Sequence, residues 1–376
     1  MDSSDMDCPR QSVNALEWVE KGSYRESGAK YVPVFPEHII HRTLPNKIDI
    51  DVHQAFQERE FHQPETFVAL IPKGRVCGSN GFIITPDNKL IYDLSNWFNT
   101  PVEAHPIVLQ DQLPPNKHLE GSIAVLATAG WWNYYHWMFD ALPRYELLRR
   151  SGFKADKYIV SYCNLAFQTE TLKILGIPQE DMIVARDEFQ LQADELIVPA
   201  FPSCLRKIPK WACQFLRDLF LPHLETNQGR KDLRIYVSRA KASFRKLENE
   251  SLLEEILSSL GFETVFLERL PLLEQVRLFA NADIVIAPHG AGLTNLVFCR
   301  PGTKVVELMG PKYINNVFWA LSNQVDLDYT YLIGEGEEPP SYVNPWDSGN
   351  SRANFTICPK KFEKLLKKIG LIKEQH

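Results

Sequence analysis

The stretch Asp283-Ile-Val-Ile-Ala-Pro-His289-Gly290-Ala291-Gly292-Leu293-Thr294-Asn295 constrains this chain more than any other. A fully apolar run that closes on Pro-His-Gly-Ala-Gly and then enters a helical segment is a buried strand running into a helix. In an open α/β sheet, ligands bind beyond the carboxyl ends of the strands. A helix N-terminus there offers free N–H groups to an anion. Gly290 and Gly292 let the backbone approach a diphosphate closely, and Thr294 and Asn295 can cap or donate. The stretch is neither the GxGxxG fingerprint nor a P-loop, which needs Gly-Lys-Ser/Thr. A Gly-rich connection carrying a structural histidine is the plain alternative.

The same strand–helix logic surrounds it. Arg234–Val237 reads as a strand, Ser251–Leu260 as a helix closed by Gly261, Glu263–Leu267 as a strand and Leu272–Ala280 as a helix. Lys304–Leu308 follows as a further strand, and a short helix starts near Leu293. Earlier in the chain, Ile123–Ala127, Lys157–Ser161, Met182–Ala185 and Glu195–Pro199 read as strands. Helices are expected over 133–150 and 168–175. Phe67–Ile71, Gly81–Thr85 and Lys89–Tyr92 are short β runs punctuated by turn residues, which predicts a small antiparallel meander. Residues 1–60 show no sustained period. With 376 residues, two domains are expected at about 150 residues each. The α/β pattern gives two Rossmann-like lobes facing a central cleft. The boundaries fall at 1–120 (extension and meander, part of the first lobe), 121–228 (first lobe), 229–355 (second lobe) and 356–376 (an amphipathic C-terminal helix).

Composition removes several classes. Lys+Arg total 41 against 47 Asp+Glu, a net charge of -6, which argues against a nucleic-acid binder relying on a general positive field. No run of about 18 apolar residues occurs, so no membrane span is expected. The acidic start carries no signal-peptide pattern. Seven scattered cysteines without CxxC suggest neither a zinc knuckle nor a disulfide framework. A reduced cytoplasmic protein is the expectation. The basic tail, with Phe362, Leu365, Leu366 and Ile369 at helical spacing, reads as a helix docked on the body. The sharper alternative is peripheral contact with the inner face of a membrane. Sequons at Asn249 and Asn354 are of a length that arises by chance.

Two further clusters carry chemistry. Tyr236-Val237-Ser238-Arg239-Ala240-Lys241, with Arg245 and Lys246, sets cations after the first strand of the second lobe, on the sheet edge of the His-Gly loop. Arginine there can fork onto phosphate oxygens; a solvated basic turn is the alternative. Glu307, at the next strand, can accept from ribose hydroxyls or be an ordinary surface glutamate. In the first lobe, Trp132-Asn133-Tyr134-Tyr135-His136-Trp137-Met138-Phe139-Asp140 places Asn133, His136 and Asp140 on one face of a largely apolar helix. A buried carboxylate or imidazole there can take a proton from a hydroxyl nucleophile. A mutually satisfied His–Asp core pair is the alternative. Asp49–Asp51 and Asp326–Asp328 are Asp-x-Asp triplets without the strong apolar strand that a metal–diphosphate site calls for, and no metal is expected.

Taken in order, Asn133-x-x-His136-x-x-x-Asp140 with Leu142-Pro143-Arg144, Tyr236-x-Ser238-Arg239 with Arg245, Ala287–Asn295 and Pro301-Gly302-Thr303 leading to Glu307 resemble glycosyltransferase family 61. The resemblance spans about residues 120–310. It implies a GT-B fold and an inverting, metal-independent reaction without a cofactor. A nucleotide sugar, in particular a UDP-sugar, is the co-substrate, and a glycan or other hydroxyl is the acceptor. On it, Ser238, Arg239, Arg245, His289, Gly290, Gly292, Thr294, Asn295 and Glu307 become donor-site residues. Asp140 becomes the base, with His136 as second choice, and Asn133 and Trp132 fall on the acceptor side. Lacking a signal or anchor, the chain fits a bacterial-type enzyme of surface-polysaccharide synthesis. A sugar-nucleotide epimerase, a non-catalytic glycan- or protein-binding pair of lobes, and a histidine–carboxylate metallohydrolase are the rival readings.

Overall fold

The structure is a computed structural model describing residues 7–46, 52–98, 100–202, 207–224, 233–337 and 348–373. The chain separates into two compact units, Met1–Ile39 with His62–Phe215 and Ile40–Phe61 with Leu216–His376. Residues 40–61, placed with the first lobe by sequence, thus belong to the second unit. Phe56 explains the difference: it is fully buried and stacks on Tyr331 and against Trp319, both of the second unit.

The first unit is built on a mixed ten-stranded sheet. Its parallel part runs Gln190–Pro199, Lys117–Val125, Lys157–Ser161 and Met182–Ala185 in spatial order. The meander strands Arg75–Cys77, Phe82–Ile84 and Lys89–Ile91 are antiparallel to one another and continue this same sheet. The junction is Gln190–Pro199. It pairs antiparallel with Thr66–Pro72 and Arg75–Cys77 on one side and parallel with Lys117–Val125 on the other. Gln11–Val13, in the stretch without a period, pairs with Lys89–Ile91.

The second unit holds five parallel strands in the order Glu263–Val265, Leu233–Val237, Ala282–Pro288, Lys304–Met309, Asp328–Ile333. Numbered along the chain this is 2-1-3-4-5, a doubly wound order with its reversal between the first and third strands. Ile284, Ile286, Val306 and Leu308 pack with Leu253 and Leu257 from the helix Glu250–Ser259. The helix Pro359–Lys368 adds Phe362, Leu365 and Leu366 to that same core. Its apolar stripe is therefore covered by protein, as expected of a helix docked on the body.

The parallel α/β patterning is present in both units. The GT-B arrangement itself stays an expectation from the resemblance. Asp328 opens the last strand and accepts a hydrogen bond from Asn46, while Asp49–Asp51 lies outside the described residues. Asn249 is bonded in both directions to the Ile357 backbone.

Candidate functional site

In the first unit, the chain leaving strand Lys117–Val125 turns at Gly130 (φ 73°) and enters Tyr134–His136. A Cβ on Gly130 would lie 2.8 Å from the His136 ring, so both backbone angle and space demand glycine. Asn133 does not share the helix face with His136. It is the exposed N-cap, its Oδ1 accepting from Tyr135 N at 2.9 Å, because the helix begins only at Tyr134. The expected continuous helix is broken by a π segment, Trp137–Ala141, before Leu142–Ser151 resumes. Such segments recur at functional sites.

Across it, His136 Nδ1 lies 2.6 Å from Asp140 Oδ2. The pair is partly buried, and with Asn96, Phe98, Thr128, Ala129, Tyr135 and Phe201 it lines a pocket. Thr128 and Ala129 follow strand Lys117–Val125, and Phe201 follows the neighbouring Gln190–Pro199. The pocket therefore lies off the carboxyl ends of two adjacent parallel strands that are far apart in sequence. Trp132 is half exposed and packs edge-to-face on Trp131.

Arg144, which the sequence offered only within the Leu142-Pro143-Arg144 motif and without a role, lies close to the pair. It is fully buried, and its guanidinium donates to Pro199 O through Nε and Nη2 at 3.0 and 2.7 Å and to Ala127 O through Nη1. Burial pulls its pKa down, and the Asp140 carboxylate opposes that pull. One side chain thus ties the ends of both strands and helps balance the charge of Asp140. A buried cation of this kind has to find carbonyls or a carboxylate. Arg144→Leu is expected to lower unfolding stability by about 2–4 kcal/mol, measured by chemical denaturation, because two buried carbonyls lose charged donors.

In the second unit the predicted residues gather at the reversal of strand order. Ser238 and Arg239 follow Leu233–Val237, and His289 and Gly290 follow Ala282–Pro288. These are the chain-order first and third strands, where a doubly wound sheet binds its ligand. The Arg239 guanidinium lies against the Gly290 Cα, occupying the volume of any Cβ there. Its Nη2 donates to Phe244 O at 2.9 Å, and its Nε has no hydrogen-bond partner among the described residues. Arg245, held at φ 54°, donates from Nη1 to Ser351 O at 2.9 Å and also keeps Nε unpartnered. Its guanidinium lies 5.1 Å from the centre of the Tyr313 ring. Burial depresses both arginines, and Arg239, pulled down to about 10, also feels the like charge of Arg245. Neither is ion-paired with a carboxylate of a described residue.

The remaining residues divide by role. His289 is nearly buried between Tyr313 and Phe318, with Nδ1 2.5 Å from Glu307 Oε1. Burial lowers the His289 pKa, with Glu307 opposing. Glu307 is fully enclosed and receives the Tyr329 hydroxyl on Oε2 at 2.5 Å, so it meets His289 instead of lying open to a ribose. Ser238 Oγ accepts from Ala240 N and fixes the turn. Asn295 donates to Gln275 Oε1 and Gly292 O, fastening the 3₁₀ segment Ala291–Phe298. Thr294 Oγ1 is buried without a hydrogen bond to a described residue, and a Cβ on Gly292 would sit 2.7 Å from Leu267. Tyr313 and Tyr329 carried no sequence signal, since they lie outside every motif.

The second unit is thus a doubly wound parallel sheet with Arg239, Arg245 and His289 gathered where its strand order reverses. Residues 134–306 match the family model Glycosyltransferase 61, a span holding both the His136–Asp140 pair and the Arg239–His289 cluster. Among curated relatives, Beta-1,2-xylosyltransferase RCN11 of Oryza sativa subsp. japonica is 37% identical over 82 residues, covering 22% of this chain and 15% of that protein. The Beta-1,2-xylosyltransferase of Arabidopsis thaliana is 27% identical over 97 residues, covering 26% and 16%. The EGF domain-specific O-linked N-acetylglucosamine transferase of Pan troglodytes is 34% identical over 90 residues, covering 22% and 17%. The chain therefore spans about a sixth of the length of the relatives it matches. These likenesses support a glycosyltransferase.

Proposed function

We propose that the chain transfers a sugar from a nucleotide-sugar donor to a hydroxyl of a glycan or similar acceptor, with inversion and without a metal. The observation that carries this reading is the pair Arg239 and Arg245. Two neighbouring, half-buried guanidiniums, each with an Nε that has no hydrogen-bond partner among the described residues, stand at the switch point of a parallel sheet. Holding like charges together in a poorly solvated place is costly unless an anion joins them. A diphosphate has the charge and the acceptor oxygens to do so.

The second unit supplies the donor site in this reading, and the hydrogen-bonded Asp140–His136 pair of the first unit supplies the base. The acceptor hydroxyl loses its proton to that pair and attacks the anomeric carbon. The carbon–oxygen bond to the diphosphate breaks, and the departing charge is met by Arg239 and Arg245. Preorganised cations of this kind contribute roughly 100- to 1,000-fold each.

The relatives' names suggest xylosyl and N-acetylglucosaminyl donors as the first probes. UDP, UDP-xylose or UDP-N-acetylglucosamine is expected to raise the melting temperature by several degrees, with EDTA making no difference. A shift that appears only with divalent metal counts against the metal-free mechanism, and no shift with any nucleotide counts against the donor site.

A further inference from the structure

Glu307 is fully buried and Tyr329 nearly so, on the Nδ1 side of His289. The imidazole therefore has one locked edge and one open edge. Nδ1–H donates to Glu307 Oε1, Glu307 Oε2 receives the Tyr329 hydroxyl, and His289 Nε2 makes no hydrogen bond to a described residue. The His289 side chain retains 7% exposure while that of Glu307 retains none. The ionisable groups around the ring are Glu307, Arg239, Arg245 and Tyr313, with Phe318 closing an apolar side. Burial and the two arginines lower the pKa of the ring, against the pull of Glu307.

With His289 neutral, the two guanidiniums are already offset by Glu307 at the imidazole and by Glu250 and Glu268 near Arg239. A diphosphate diester adds two negative charges and leaves the site with an excess of them. Net charge in a poorly solvated place is unfavourable. The same anion cancels the influence of Arg239 and Arg245 on the ring, leaving Glu307 to favour the imidazolium. A neutral Nε2 presents a lone pair to a phosphate oxygen and repels it, whereas Nε2–H donates to it.

We propose that binding of a nucleotide sugar in the second unit draws one proton from solvent onto Nε2 of His289, with the Glu307–Tyr329 pair as its buried counter-charge. The inference rests on the donor reading and adds a proton to its grip on the diphosphate. No covalent bond other than N–H forms, and the proton leaves when the nucleotide does.

Calorimetric titration with UDP-xylose and UDP-N-acetylglucosamine, in two buffers of very different ionisation enthalpy, tests it. Nucleotide sugars are the probes because a diphosphate diester does not titrate near neutrality, whereas a terminal phosphate group does, near pH 6. Uptake of about half to one proton per nucleotide is expected, with Kd weakening about 3- to 10-fold from pH 6.5 to 7.5. In His289→Gln, binding is expected to be weaker and free of proton uptake. Tyr329→Phe, which deletes one hydroxyl, is the milder variant should His289→Gln fail to fold. By leaving Glu307 a stronger partner for His289, it is expected to raise the free ring's pKa and reduce uptake at pH 6.5. Binding without proton uptake overturns the inference and leaves the donor reading standing. Uptake that persists in His289→Gln, or is unchanged in Tyr329→Phe, also overturns it. Failure of both nucleotide sugars to bind overturns the donor reading and this inference together.

Discussion

Asp140→Asn is expected to lower sugar transfer roughly 100- to 10,000-fold, the range for loss of a positioned base, with little change in donor affinity. The argument starts from the 2.6 Å contact between His136 Nδ1 and Asp140 Oδ2, which makes the two side chains one proton-accepting unit. Asparagine keeps the shape and an acceptor for the imidazole but holds no negative charge. His136→Ala should bring a loss of similar size. The double variant should be no worse than the poorer single, because residues acting as a unit are strongly non-additive. A nucleotide-release assay with saturating acceptor reads all three. Multiplying losses would assign the two groups independent tasks, and near-normal turnover in Asp140→Asn would move the base elsewhere. Since Asp140 also lies beside Arg144, a denaturation curve on each variant separates lost chemistry from lost folding.

Sequence patterning reached the second-unit sheet through its apolar runs. Ala282–Pro288 and Lys304–Met309 are buried along nearly their whole length, so no polar alternation interrupts them. It missed the final helix and strand of that sheet. Val317–Gln324 is buried nearly all round and shows no helical period, and Asp328–Ile333 mixes tyrosine and threonine among its apolar residues. Gln11–Val13 exists through its pairing with Lys89–Ile91, a contact 78 residues away that local pattern does not encode.

The candidate site was legible where chemistry and spacing coincide. The four-residue interval fixed His136 against Asp140, and the strand-end positions of Arg239 and His289 brought them to one sheet edge. What stayed hidden depends on tertiary burial. Tyr329 reaches Glu307 only because the last two strands pair in register, placing the Glu307 carboxylate beside strand Asp328–Ile333. Asn133 looked like a member of the polar strip because its spacing fits a helix, and its capping role appears only once the helix start is known.

Arg239→Ala should abolish measurable transfer, a loss of roughly 100-fold or more, and weaken nucleotide-sugar binding, while leaving the fold intact. Both halves follow from the same geometry. In the free protein the guanidinium is partly desolvated, carries an unpartnered Nε and sits near the like charge of Arg245. Its removal sacrifices one hydrogen bond to Phe244 O, and the repulsion it relieves from Arg245 offsets the attraction it loses to Glu250 and Glu268. Stability should therefore change by no more than about 1 kcal/mol, the net value of one such bond. A residue retained for packing would behave the opposite way, with a large loss of stability and unchanged donor affinity. Arg239→Lys sharpens the contrast. Lysine restores the charge but not the planar fork that lies against Gly290, so it should recover little of the lost binding. Calorimetry and denaturation on the same preparations decide the matter. Donor binding that survives Arg239→Ala would remove the guanidinium pair from the diphosphate site and the donor reading with it.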